Sequence, residues 1–454
     1  MELPPPTTPS SLVFKIHRRE PELLRPAKPT PHEFKHLSDI DDQEGLRCFS
    51  LNAREGPVKV MREAIATALV FYYPMAGRLR EGPNRKLAVE CNGEGVLFTE
   101  ADAEVTLQQL GVAPHLPYPY IDEFLFNVPG SSEILNYPLL IFQVTRLKCG
   151  GFTFAFNYNH AMCDALGLVQ FCSAVSEIAR GADAPSVLPV WERHLLSSID
   201  PPKVTHQHLE YVDTAPGVVD HSSEEQLVDR SFLFGPKELS TLRNLLPPGE
   251  KFTSFEILTA YLWKCRTIAL QLPPSQEVRV MCTINARQKL VNPPLPRGYY
   301  GNAIVCPVAL ATASNLTRNP LGYALELVKK AKAQFSRDYI SSVASLMVTK
   351  GRPGYVTART FELTDITHVG FPELDYGWGE AAYGGPADAG CPEDLACGYL
   401  LPFANKKGEK RIIATFSLPA IAMERLSKEL RTLFNFNKPT AGHLGSQMSI
   451  KYSL

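Results

Sequence analysis

The 454-residue sequence has no excess of charge of either sign, with 46 Lys and Arg against 47 Asp and Glu. It projects no basic field, which speaks against nucleic acid or an anionic membrane as its main partner. No apolar run nears the ~18 residues of a membrane span, and the best, Leu139 to Val144, has the length of a strand. Met1 to Ser11 is rich in proline and threonine without the apolar core of a secretory signal, so the expected location is cytoplasmic. The ten cysteines include no C-x-x-C pair, which argues against a zinc knuckle or a disulfide framework, and even the neighbours Cys391 and Cys397 read as free thiols. G-x-S-x-G, the P-loop and a dinucleotide fingerprint after a strand are all missing, against serine hydrolases, nucleotide hydrolases and Rossmann oxidoreductases. Nor does any internal period suggest a solenoid.

What is present is globular composition, 44% hydrophobic and 20% charged, with length for two to three domains of ordinary size or two large ones. Helical periodicity marks Val58 to Tyr72, Asp164 to Arg180, Leu321 to Arg337 and Ala420 to Phe434. Thr253-Ser254-Phe255-Glu256 is a capping box that opens a further helix to about Ala269. Strands are expected at Leu12 to Ile16, Arg230 to Phe234, Val278 to Asn285, Leu395 to Pro402 and Arg411 to Ser417. Leu87 to Cys91 and Val96 to Thr99 look like a hairpin, and Leu139 to Arg146 with Phe152 to Tyr158 like a second strand pair. Between Ala182 and Asp229, prolines, acids and histidines cluster without a period. The expected fold is therefore α/β, two layered domains with mixed sheets: 1–200, a crossover at 201–229, and 230–454.

Three motifs bear on chemistry. In His160-Ala161-Met162-Cys163-Asp164 the histidine falls where an alternating strand ends and the aspartate where a helix begins, a turn that exposes side chains at a sheet's edge. An imidazole there is matched to removing an alcohol's proton at neutral pH. A Cys163–His160 nucleophilic pair is a rival reading, and a strand end with a helix cap is the bland one. His32-Glu33-Phe34-Lys35-His36 matches the zinc-hydrolase pattern H-E-x-x-H, but Pro29 and Pro31 precede it and no third ligand follows, so no metal is expected. The acidic run Asp39, Asp41, Asp42 and Glu44 lacks the EF-hand order and reads as a solvated loop. In Asp375-Tyr376-Gly377-Trp378-Gly379, two glycines bracket a tryptophan, a tight loop around a buried ring. For an anionic ligand the helix opening at Ser254, just after Lys251, offers free amides; the alternative is an ordinary capped helix.

Taken together, NHAMCDALG (159–167), DYGWG (375–379), PAKPTP (26–31), LSDIDDQEGLR (37–47), YPMAGRLREGPNRKL (73–87), LPVWER (188–193) and NPLGYALELVKKAK (319–332) resemble the plant BAHD acyl-CoA-dependent acyltransferases, in the branch of benzyl alcohol O-benzoyltransferases and alcohol acyltransferases. The resemblance implies two chloramphenicol-acetyltransferase-like domains with a channel between them. It implies His160 as catalytic base, and Asp164 as a structural partner of Arg287. Asp375, Gly377, Trp378 and Gly379 become a structural loop, and Tyr300, Gly301 and Asn302 join Ser254 on the CoA side. Tyr376 stands where the family usually has Phe. The implied reaction is direct transfer from acyl-CoA, with benzoyl-CoA and benzyl or related alcohols as first expectation. Aliphatic acyl-CoA with aliphatic alcohols or amines is the alternative. The oxyanion donor is expected to be Trp378 or a nearby hydroxyl, the protein a monomer, and no cofactor is expected to be bound.

Overall fold

The computed structural model describes residues 12–41, 46–53, 57–110, 116, 118, 120–126, 135–211, 227–287, 290, 294–379, 381–387, 396–404 and 408–434. A seven-stranded mixed sheet holds, in order, Ile16–Arg18, Val96–Ala103, Leu140–Leu147, Gly151–Tyr158, Leu46–Ala53 and Tyr383–Pro386, with Glu22–Leu24 also on Val96–Ala103. Its parallel pair is Val96–Ala103 with Leu140–Leu147. Gly151–Tyr158 is central and buried on both faces, with Phe154 stacked on Phe142 of the antiparallel neighbour at 5.5 Å. Helices Pro57–Phe71 and Ala165–Ala179 pack on this sheet through Met61, Ile65, Leu69, Leu168, Phe171 and Val175.

The second mixed sheet has six strands: Leu227–Phe234, Lys410–Pro419, Ala396–Ala404, Thr360–Asp365, Glu277–Cys282 and Val308–Thr312. Helices Ser254–Leu270, Leu321–Ala333 and Ala420–Phe434 cover one of its faces, burying Leu258, Leu262, Val328, Met423 and Leu426 against Val280, Phe361 and Phe416. Among the described residues no helix is long and apolar enough to cross a membrane.

Several expectations need correction. Leu87–Glu90 and Val96–Ala103 form no hairpin: the former pairs with Arg78–Glu81 and Phe34–His36, the latter with strands of the large sheet. Gly95, at φ +100°, passes so close to Leu24 that a Cβ would lie 2.4 Å from its carbonyl oxygen. The polar link is thus a crossover between sheets, and Gly-rich composition suits either role. The first strand begins only at Ile16, and the strand expected at 278–285 breaks at Thr283 into Glu277–Cys282 and Ile284–Asn285. The helix expected to reach Arg337 ends at Ala333; Ser336 then caps a separate helix, Arg337–Lys350, by accepting from the Tyr339 amide at 3.1 Å.

The halves interlock. Tyr383–Pro386, late in the chain, pairs with Leu46–Ala53 of the first sheet. Val190, in the segment after the first helices, donates its amide to Gly298 at 2.9 Å. Tyr300 belongs to the first core and packs edge-on to Tyr72 at 5.2 Å. Gly167 permits this approach, because a Cβ there would lie 2.0 Å from the Tyr300 carbonyl oxygen. Alanine is a better helix former than glycine by about 1 kcal/mol, but here overpacking against main chain opposes it, at about 1–3 kcal/mol. Gly167→Ala is expected to lower the thermal midpoint and turnover together; a variant with unchanged melting and turnover would contradict the close approach.

Candidate active site

The strand Gly151–Tyr158 delivers the chain into a short turn, His160–Met162, which Asn159 opens by accepting from the Ala161 amide at 3.0 Å. Asp164 then caps helix Ala165–Ala179 through the Gly167 amide at 3.0 Å. The same carboxylate takes a two-pronged bond from Arg287, at 2.6 and 2.9 Å, and the Ala303 amide at 2.9 Å. Arg287 also donates to the Gly301 carbonyl at 2.6 Å. Asp164 therefore fastens its helix to two segments from the second half of the chain.

A second clamp, which the sequence reading missed, holds the other side of the turn. Asp41, read as part of a solvated loop, is fully buried and pairs at 2.5 Å with Arg193, itself 1% exposed. Asp41 also accepts from Ser38 and from the main-chain and side-chain nitrogens of Asn302. Arg193 passes its other prong to the Met162 carbonyl at 2.6 Å and lies over the Trp191 ring at 4.4 Å. Burial alone would weaken its charge, but the Asp41 carboxylate outweighs it and the guanidinium stays firmly protonated. Asn302 links the clamp to the histidine turn, donating to the His160 carbonyl at 2.8 Å. Asp39 is likewise engaged, by Lys86 at 3.2 Å and the Ser198 amide at 2.8 Å; Asp42 and Glu44 lie outside the described residues. Asp41 suggested solvent because its partners Arg193 and Asn302 lie more than a hundred residues away, although LPVWER carried Arg193 in plain view.

His160 is 6% exposed. Burial holds the ring below the ordinary imidazole pKa, against the pull of the Asp164 charge and of the residue's own carbonyl. It is thus neutral at neutral pH, the form that accepts a proton. Nδ1 is sealed and has no partner of good hydrogen-bond geometry.

The other predicted residues fall in different places. Tyr300 and Asn302 are buried, and a Cβ at Gly301 would lie 2.6 Å from the Arg193 guanidinium. This segment is buried and braces the turn. Thr253 accepts from the Glu256 amide, while the Glu256 carboxylate accepts from Thr253 and from Lys332. The helix end at half-buried Ser254 thus already carries a carboxylate of the protein's own, the ordinary capped helix of the two alternatives. Cys163 is a fully buried thiol in the first core, with no surface for an acyl group. Cys397 forms a disulfide whose partner lies outside the residues with described side chains, against the expectation of a free thiol there.

The loop at 375–379 sits at the far end of the same helix. Asp375 accepts from the Gly377 and Gly379 amides, both at 2.8 Å, and these glycines adopt φ of +103° and +90°. The Asp375 carbonyl accepts from Ser176 at 2.6 Å and from Arg180. Tyr376 is buried edge-on to Phe154, and its hydroxyl meets the Cys172 thiol. Trp378 stands edge-on to Phe152 at 5.2 Å, six strand residues from Tyr158, or ~20 Å. It cannot meet an oxyanion at His160, and that expectation is withdrawn.

The zinc pattern fails on geometry. Phe34–His36 is a strand, and extended chain separates residues four apart by ~13 Å, twice the helical spacing that H-E-x-x-H needs. His32 faces Glu90 at 3.3 Å.

An α/β chain with two large mixed sheets, in which the histidine turn is held by the Asp164–Arg287 and Asp41–Arg193 pairs, has relatives in sequence and in fold. The Transferase family model matches residues 14–433. A benzyl alcohol O-benzoyltransferase of Nicotiana tabacum is 52% identical over 95% of this chain and 96% of its own. A (Z)-3-hexen-1-ol acetyltransferase of Arabidopsis thaliana is 49% identical over 96% and 98%. In fold, the chain resembles vinorine synthase, at a TM-score of 0.70 and 20% identity over 92% and 98% of the chains. It also resembles F. graminearum TRI101 complexed with coenzyme A and deoxynivalenol, at 0.67 and 16% over 88% and 98%. The chain belongs to the Transferase family, the BAHD acyltransferases.

Removing one partner of a buried ion pair leaves a charge stranded, at a typical cost of about 3–5 kcal/mol. Asp41→Asn is expected to lower the urea midpoint strongly, and Asp41→Asn with Arg193→Met to lose less than the sum of the single losses. Additive losses would show that the pair is not coupled.

Proposed function

We propose that this protein is an acyl-CoA-dependent alcohol O-acyltransferase, with benzoyl-CoA as donor and benzyl or related alcohols as acceptors. Two benzyl alcohol O-benzoyltransferases at 52% identity support benzoyl transfer, and the acetyltransferase at 49% supports the aliphatic alternative. A matrix of benzoyl- and acetyl-CoA against benzyl alcohol, aliphatic alcohols and amines, read by product mass, decides between them. An ester of benzoyl-CoA and benzyl alcohol as main product is the expected outcome. We place the enzyme in the cytoplasm as a monomer, for which light scattering should return the chain mass of 50.3 kDa.

The observation that carries the mechanism is the neutral, clamped His160. With Nδ1 sealed, Nε2 is the nitrogen left to face a substrate. It removes the alcohol proton as the oxygen attacks the thioester carbonyl. The tetrahedral oxyanion collapses, the C–S bond breaks, and the departing CoA thiolate takes the proton back from the imidazolium. Asp164, occupied by four donors, serves as a positioning residue and does not orient the ring as a protease triad aspartate would. Arg287, Asn302 and the 375–379 loop are assigned supporting parts.

His160→Ala is expected to reduce turnover by at least about 10²-fold with circular dichroism unchanged; wild-type turnover would remove the base. Because the ring's pKa is lowered, turnover should be flat at neutral pH and fall in acid, with a midpoint below the free imidazole's 6.5. Stability has the same sign. The unfolded chain takes up this proton near 6.5 while the folded one resists, so the histidine's contribution is intact above that pH and is lost as pH falls below it. The CoA Michaelis constant of Ser254→Ala is expected to stay unchanged, and a several-fold rise would return that helix end to CoA.

A further inference from the structure

The second sheet has a face that its helices do not cover. On Thr360–Asp365, Phe361 and Leu363 enter the core beneath the helices, so Glu362 and Thr364 point the other way. The neighbouring Glu277–Cys282 runs parallel with Met281 beside Glu362, which brings Thr283, just past its end, alongside Thr364. Thr283 donates to Glu362 at 2.8 Å, and the two threonine hydroxyls lie 3.0 Å apart.

These strands lie inside the sheet, flanked by Ala396–Ala404 and Val308–Thr312, yet Thr283, Glu362 and Thr364 all keep partial exposure. Polar side chains on interior strands, partly open on the helix-free face, describe the wall of a crevice. One end of that face is closed by Leu209 and Tyr355 and the other by Leu116, a first-half residue packed with Ile366 and Tyr399. The crevice therefore lies toward the first half of the chain. It also adjoins the clamp: Ile284–Asn285 pairs with Ile304–Val305, and this ribbon runs from Thr283 to Arg287 and Ala303, the partners of Asp164. Thr283 directly precedes the strand Ile284–Asn285 and lies four residues from Arg287, so the crevice wall and the clamp share one segment.

A carboxyl is a costly lining for a site that takes only hydrocarbon. We propose that Glu362, with Thr283 and Thr364, forms a specificity-determining polar subsite that hydrogen-bonds a hydroxyl on the substrate, beyond the one that is acylated. This rests on the acyltransferase reading above and names the substrate class of the same site. Burial raises the Glu362 carboxyl pKa against the pull of the Thr283 and Thr364 bonds.

The test compares kcat/KM for benzyl alcohol with hydroxybenzyl alcohol, and for benzoyl-CoA with hydroxybenzoyl-CoA, in separate arms that locate the hydroxyl on acceptor or donor. The wild-type enzyme is expected to favour the hydroxylated partner by at least about tenfold in one arm. Glu362→Leu should erase that preference and Glu362→Gln keep most of it, each checked for folding by thermal melting. Should Glu362→Leu fail to fold, Thr283→Val and Thr364→Val carry the same expectation of a reduced ratio. A wild-type preference for the plain partners in both arms, or a ratio unmoved by these substitutions, overturns the subsite. Absence of transfer to any alcohol would instead overturn the acyltransferase reading.

Discussion

Two carboxylate–guanidinium pairs, the half-buried Asp164–Arg287 and the fully buried Asp41–Arg193, converge on a five-residue turn, and the rest of the arrangement depends on them. Taking charges out of water is expensive, and attraction between partners offsets it only when the remaining lone pairs and protons are also met. Here they largely are. Asp164 accepts from four donors, and Asp41 from Ser38, Arg193 and Asn302. Such saturation makes each carboxylate directional, since displacing any element leaves a donor or acceptor unpaired in a dry environment. The pairs also join distant segments: Arg193 lies in the segment between the halves, Arg287 and Asn302 in the second half, His160 and Asp164 in the first.

This explains why an aspartate four residues from a histidine need not act on it. Asp164 sends its hydrogen bonds away from the imidazole, and its charge reaches the ring only through space, where it opposes burial without overcoming it. The outcome is a neutral ring in fixed position.

Local signals were legible and distant ones were not. Asp164 as a helix cap, the Thr253–Glu256 capping box and the alternation of Phe152 to Tyr158 concern neighbours within a few residues, and each stands in the structure as the sequence implied. Asp41 was misread because exposure is a property of tertiary partners. The crossover at Asn92 to Gly95 was misread because glycine licenses positive φ without saying which way the chain then runs. Glu362 showed no signal at all in sequence, since only strand register reveals which face it takes.

The helix Ala165–Ala179 adds a mechanical consequence. Fifteen residues at ~1.5 Å each make a rod of ~22 Å, with Asp164 capping one end and the Asp375 loop gripping the other through Ser176 and Arg180. A loop at the far end of the helix can still bear on His160, because a rod held only at its cap would pivot about Asp164 and carry His160 with it. Gripped at both ends, and pressed against Tyr300 where Gly167 leaves room, it has no free axis left. The remote glycine-bracketed tryptophan and the histidine turn thus serve one constraint, the orientation of a single helix on the strand that leads into His160.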